Sequence, residues 1–80
     1  MDQVKIGGLI RTLRMQQGLT QKALAEAIGI GDKAVSKWER GLGCPDVSLL
    51  PELSTVLGVG LETLLSGELN ANDQERGNMK

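Results

Sequence analysis

Apolar residues return at Ile6, Leu9, Ile10 and Leu13, the three-and-four spacing of an amphipathic helix, and predict a first helix over Gln3 to Gln17 that Gly18 stops. Gly7 and Gly8 fall in its first turns, where each weakens a helix by about 1 kcal/mol relative to alanine. Leu24, Ala25 and Ile28 set a second helix over Gln21 to Ile28. The Thr20 hydroxyl is placed to cap it, and Ala23 stands where a Glu would complete a capping box, so the cap is single. A third helix runs from Asp32 or Lys33 to Arg40, with Ala34, Val35 and Trp38 on its buried face and Gly41 as its stop. Gly31, at the cap position, supplies no side-chain acceptor, and the negative charge of Asp32 at the positive helix end partly compensates. After the GLGCPD loop, Ser48 or Asp46 caps a fourth helix with Pro51 in its first turn, where a missing N–H costs little. Its inward face is Leu50, Leu53 and Leu57, and Gly58 closes it. A short fifth helix, Leu61 to Leu65, is apolar at Leu61, Leu64 and Leu65. From Gly67 on, GELNANDQERGNMK offers almost nothing to a core and reads as a polar tail or linker over 67–80. No segment alternates as a strand would, so the expected fold class is all-α, with the folded domain at 1–66.

Within this pattern the twenty residues 21–40, QKALAEAIGIGDKAVSKWER, carry the most specific signal. Ala25 is the small residue that lets two helix backbones approach at a sharp crossing. Gly29 stands where the chain must leave the first of them with positive φ. Leu24, Ile28, Ile30, Val35 and Trp38 occupy the inward positions of both helices. A lone LAxxxG is weak evidence, but all these positions agreeing within one window identifies a helix-turn-helix, a motif that points to DNA.

Composition narrows the possibilities. Eighty residues with 40% hydrophobic content make one domain, near the lower size at which a core alone suffices. Cys44 is the sole cysteine and there is no histidine, which rules out an internal disulfide and a Cys/His zinc site. No metal and no cofactor are expected. No apolar run nears the roughly 20 residues that span a bilayer, and the N-terminus lacks a signal-peptide pattern, so a cytoplasmic protein without a membrane partner is expected. The net charge of −1 suits a DNA binder poorly until it is divided. Residues 1–43 hold seven Lys and Arg against four Asp and Glu, net +3, and residues 44–80 hold two against six, net −4. The positive charge thus collects in the half that carries the motif.

The candidate chemistry lies on the third helix. With Ala34, Val35 and Trp38 turned inward, Lys33, Ser36, Lys37 and Arg40 form the opposite stripe, at i, i+3, i+4 and i+7. In a major groove that stripe meets base edges and phosphates. Lys33 and Lys37 donate to guanine, Ser36 donates or accepts, and Asp32 accepts from cytosine or else repels phosphate. The bland alternative is a merely solvated polar face. An enzyme is excluded by inventory, since no histidine and no nucleophile paired to a base are present. The rival of a different class is a protein-interaction adaptor on the same fold, which would more often show an acidic or apolar third helix. Cys44, before Pro45 in a loop expected to be exposed, reads as incidental rather than redox-active.

The wider chain resembles the lambda repressor and Cro-like family of bacterial and phage regulators, over about residues 3–66, through LTQKALAEAIG, AVSKWERG, CPDVSLLPELSTVLGV and LETLLSG. The resemblance implies a compact five-helix bundle that binds operator DNA, usually as a homodimer. It also implies backbone contacts from Thr20, Gln21, Arg40 and the amides of Gly41 to Gly43. Arg14 and Glu39 match a pair that bridges the first and third helices in relatives. The tail resembles linkers that lead, in some relatives, to a C-terminal domain absent from this chain. The sequence departs from the pattern at Gly31, where relatives often carry Ser or Thr, and at the acidic Asp32. Both changes are expected to lower general DNA affinity.

Overall fold

The computed structural model of the chain describes residues 2–69. Among them are five α-helices and no strand: α1 (Gln3–Gln16), α2 (Gln21–Ile28), α3 (Asp32–Glu39), α4 (Leu50–Leu57) and α5 (Leu61–Ser66). α3 packs against both α1 and α2, and α5 packs against α1 and α4. One core joins them: Ile6, Leu9, Ile10 and Leu13 from α1, Leu24, Ala25 and Ile28 from α2, Val35 and Trp38 from α3, Leu50, Leu53 and Leu57 from α4, and Leu64 from α5. The expected all-α class and the apolar periodicity are both realised.

The helix ends follow the local chemistry of the chain. Thr20 accepts from the Ala23 amide at 2.9 Å, the single cap expected for α2. Gly29 takes φ +77°, and the Ile30 amide then reaches back to the Ala25 carbonyl at 2.9 Å, closing the helix in the left-handed turn that glycine adopts without a Cβ penalty. Gly31 begins α3 without a side-chain bond, as expected. One cap was not anticipated: the Asp2 carboxylate accepts from the Val4 and Lys5 amides at 3.0 and 3.1 Å and starts α1. Neither Ser48 nor Asp46 caps α4 itself. Asp46 instead accepts from the Ser48 amide and hydroxyl, both at 3.0 Å, and starts a 3₁₀ turn (Val47–Leu49) that feeds into α4.

Other departures come from packing. Gly7, read from the sequence as a propensity cost, lies where α1 crosses the end of α3, and a Cβ placed there meets the Trp38 carbonyl oxygen at 1.8 Å. Gly8, one residue on, faces open space. Cys44 is half-buried and packs on the core, and Pro45 beside it is buried, so this loop is less exposed than the sequence suggested. From Gly67 on almost nothing was expected to enter a core, yet the first residues of this segment do pack on the fold. Gly67 is buried, Leu69 packs on the core, and Lys5 on α1 holds Glu68 at 2.8 Å. Residues 70–80 of the predicted tail lie outside the described residues.

Candidate nucleic-acid interface

Two buried residues orient α3. Val35 is 0% and Trp38 6% exposed, and Ala34 packs partly on the core beside them. A helix held by that face must present the other to solvent. Asp32, Lys33, Lys37 and Arg40 are exposed there and Ser36 is half-exposed. Lys33, Ala34, Ser36, Lys37 and Arg40 line one surface depression of about 420 Å³. The stripe expected from the sequence is thus one continuous surface. Arg40 folds back along it, its Nε donating to the Ser36 carbonyl at 3.3 Å.

The foot of this surface is tied to α1 by an ion pair. Arg14 donates from Nε to Glu39 Oε2 at 2.6 Å and from a terminal nitrogen to Oε1 at 2.9 Å, and its other terminal nitrogen donates to the Leu19 carbonyl at 2.8 Å. The two side chains are 12% and 4% exposed. Burial pushes the Glu39 carboxyl up, but the bonds from Arg14 and Gln21 and the charges of Arg14 and Arg11 outweigh it and hold the group below its ordinary value. The Arg14 guanidinium is raised in turn, mainly by its bond to Glu39. A bidentate pair of this kind fixes both helices in register.

Gln21 joins the same cluster, which the sequence reading did not foresee. Its Nε2 donates to Glu39 Oε1 at 3.1 Å. An amide nitrogen carries two hydrogens, so one remains for an outside acceptor while Glu39 fixes where the group points. Thr20 spends its acceptor on the cap and keeps its hydroxyl hydrogen. The loop amides divide. Gly41 N–H bonds the Trp38 carbonyl and Leu42 N–H the Lys37 carbonyl, each at 3.0 Å, so both are used in ending α3. Of the three expected backbone donors in Gly41 to Gly43, only the Gly43 amide has no bond among the described residues. The signal for Gln21–Glu39 was present as an amide and a carboxylate 18 positions apart, but only the crossing angle of α2 and α3 brings them together.

Among the described residues, no helix is long and apolar enough to cross a membrane. The helix-turn-helix family model matches residues 10–64. The chain is 38% identical over 74 residues, 89% of its length, to the HTH-type transcriptional activator BcrR of Enterococcus faecalis, covering 36% of that protein. It is 34% identical over 62 residues to the HTH-type transcriptional regulator ImmR of Bacillus subtilis, covering 78% of this chain and 49% of ImmR. The chain therefore spans about a third to a half of the length of these relatives. Among solved structures, the restriction-modification controller protein C.AhdI from Aeromonas hydrophila superposes with a TM-score of 0.71 at 33% identity, over 79% of this chain and 91% of that one. The clp gene regulator ClgR from Corynebacterium glutamicum superposes with a TM-score of 0.74 at 27% identity, over 84% of this chain and 71% of that one. These proteins are named as regulators or controllers of genes, in keeping with a surface that offers hydrogen-bond donors and positive charge. With its helices, their crossing and the matched residues all in agreement, the chain belongs to the lambda repressor/Cro-like (XRE) helix-turn-helix family.

Proposed function

We propose that this chain binds double-stranded DNA sequence-specifically as a transcriptional regulator, acting as a repressor in the bacterial cytoplasm. The observation that carries the reading is the α3 surface: a helix anchored by Val35 and Trp38 turns Lys33, Ser36, Lys37 and Arg40 outward together. A major groove about 12 Å wide admits such a helix. Lys33, Lys37 and Ser36 read base edges, with Asp32 accepting from cytosine. Thr20, Gln21, Arg40 and Gly43 hold the sugar-phosphate backbone, and Gly41 permits the close approach without itself donating. The active unit is a twofold homodimer on a pseudo-palindromic operator, because one α3 spans only a few base pairs. Leu61 and Leu65, 43% and 41% exposed and one turn apart on α5, supply the self-association surface, whereas Leu64 is only 1% exposed and serves the core.

Selection of binding sites from a random duplex pool tests the reading, followed by titration of the chosen site and of mixed-sequence DNA. Lys37→Ala should lose about 1 to 3 kcal/mol on the chosen site and little on mixed sequence. Gln21→Ala should weaken both alike with little change in salt dependence, and Arg40→Ala should weaken both and lower the salt slope by about one per protomer. Equal losses from Lys37→Ala on both DNAs would make it a phosphate contact rather than a base reader. An unenriched pool, with no effect of any of the three changes, would favour a protein-interaction adaptor instead.

A further inference from the structure

Resting on this DNA-binding reading, we propose that Arg11, on α1 and outside the helix-turn-helix motif, is a further anchor for a DNA phosphate. Its place follows from its neighbours on the helix. Residues four apart, or seven apart, share one face of a helix. Gly7 lies against the Trp38 carbonyl and the Glu39 Cα, and Arg14 binds the Glu39 carboxylate. Arg11 stands between them, four residues after one and three before the other, and so on the side of α1 that meets the end of α3.

Glu39 does not use this second arginine. One of its oxygens takes Arg14 Nε, and the other takes a terminal nitrogen of Arg14 together with Gln21 Nε2. A single guanidinium and one amide thus already fill this carboxylate. Arg14 is nearly buried, whereas Arg11 is exposed, and among the described residues it forms no ion pair. The Glu39 carboxyl nonetheless feels the Arg11 charge, which sets that charge in the neighbourhood of Gln21 and the end of α3. An exposed guanidinium with all its donors free takes phosphate oxygens in pairs. Arg11 therefore widens the backbone-binding edge, adding to Gln21 and Arg40 a cation contributed by the first helix. The contact carries no sequence information, because it meets phosphate and not base edges.

The test is a salt titration of a short mixed-sequence DNA duplex, followed by fluorescence anisotropy, with the full chain and its Arg11→Gln and Arg11→Lys variants. Arg11→Gln should keep the wild-type circular dichroism and melting curve, since the replaced side chain is exposed. Its log–log salt slope should fall by about 0.9 per protomer, so that its deficit shrinks about 3.5-fold per protomer between 50 and 200 mM salt. Arg11→Lys should keep the slope. A weaker Arg11→Gln variant with an unchanged slope would mean that Arg11 serves only to hold Glu39 in place, overturning the assignment. Unchanged affinity would overturn it as well. Wild-type protein without salt-dependent duplex binding would overturn the DNA reading itself, and this inference with it.

Discussion

Two adjacent glycines in α1 should respond to alanine in opposite directions. In an exposed helix interior, Gly→Ala stabilises by about 1 kcal/mol, because glycine loses more backbone freedom on folding. Gly8 meets that condition: a Cβ there touches nothing within 4 Å. Gly7 does not. Its Cβ would stand 1.8 Å from the Trp38 carbonyl oxygen, 2.8 Å from the Trp38 carbonyl carbon and 3.3 Å from the Glu39 Cα, all backbone atoms that no rotamer change can move. A tolerable carbon–oxygen contact is about 3.3 Å, so the end of α3 must recede by roughly 1.5 Å. That shift would loosen Trp38 and stretch the Arg14–Glu39 pair. Overpacking of this kind costs about 1 to 3 kcal/mol, occasionally more, and the propensity gain offsets only part of it.

Because both variants share the propensity gain, they should differ in urea denaturation by the overpacking cost alone, about 1 to 3 kcal/mol. At about 4 to 8 °C per kcal/mol for a domain of this size, their melting temperatures should separate by at least about 4 °C, with Gly8→Ala above wild type and Gly7→Ala below it. Gly7→Ala should also redshift Trp38 emission in the native state, as the indole loses its seal. Equal melting of the two variants, or a Gly7→Ala protein more stable than wild type, would refute the claim that α1 and α3 meet backbone to backbone at this point.

Trp38→Ala should destabilise by about 3 to 5 kcal/mol, since the 6%-exposed indole fills the junction of α3 with the core; native emission typical of a fully solvated indole would contradict that burial. Glu39 is held below its ordinary value in the fold, so the stability it contributes is present above about pH 4.3 and is lost as pH falls through its lowered folded value. Glu39→Gln should cost about 3 kcal/mol at neutral pH by stranding Arg14, and its deficit against wild type should shrink on acidification; a gap independent of pH would show that the pair is not what stabilises this crossing. Leu61→Asp combined with Leu65→Asp should lower the melting temperature, since each leucine is more than half covered within the protomer, but leave a folded chain whose sedimentation on a two-half-site operator falls from dimer to monomer. A dimer that survives both changes places the self-association surface elsewhere.

Much of this protein was legible along the chain because its signals are local. Helical spacing picked out the core positions of the first four helices, and glycines at the turns with Thr20 at a cap marked α2 to the residue. The solvent-facing stripe of α3 followed from the same periodicity, since placing Val35 and Trp38 inward leaves Lys33 and Lys37 no other side. Periodicity does not report how closely two helices approach or at what angle, and those quantities decided the rest. Gly7 and Gly8 are indistinguishable in the sequence, yet only one lies under the α3 backbone. The meeting of Gln21, Arg14 and Glu39 depends on three helices arriving at one point, and the use of the Gly41 amide depends on how α3 ends. Leu64 and Leu65 are neighbours of equal hydropathy, and the packing of α5 on α1 and α4 buries one and exposes the other. Local propensity and pattern act over a turn or two of chain, whereas close approach, shared hydrogen bonds and burial are properties of pairs of surfaces, which exist only once the helices have packed.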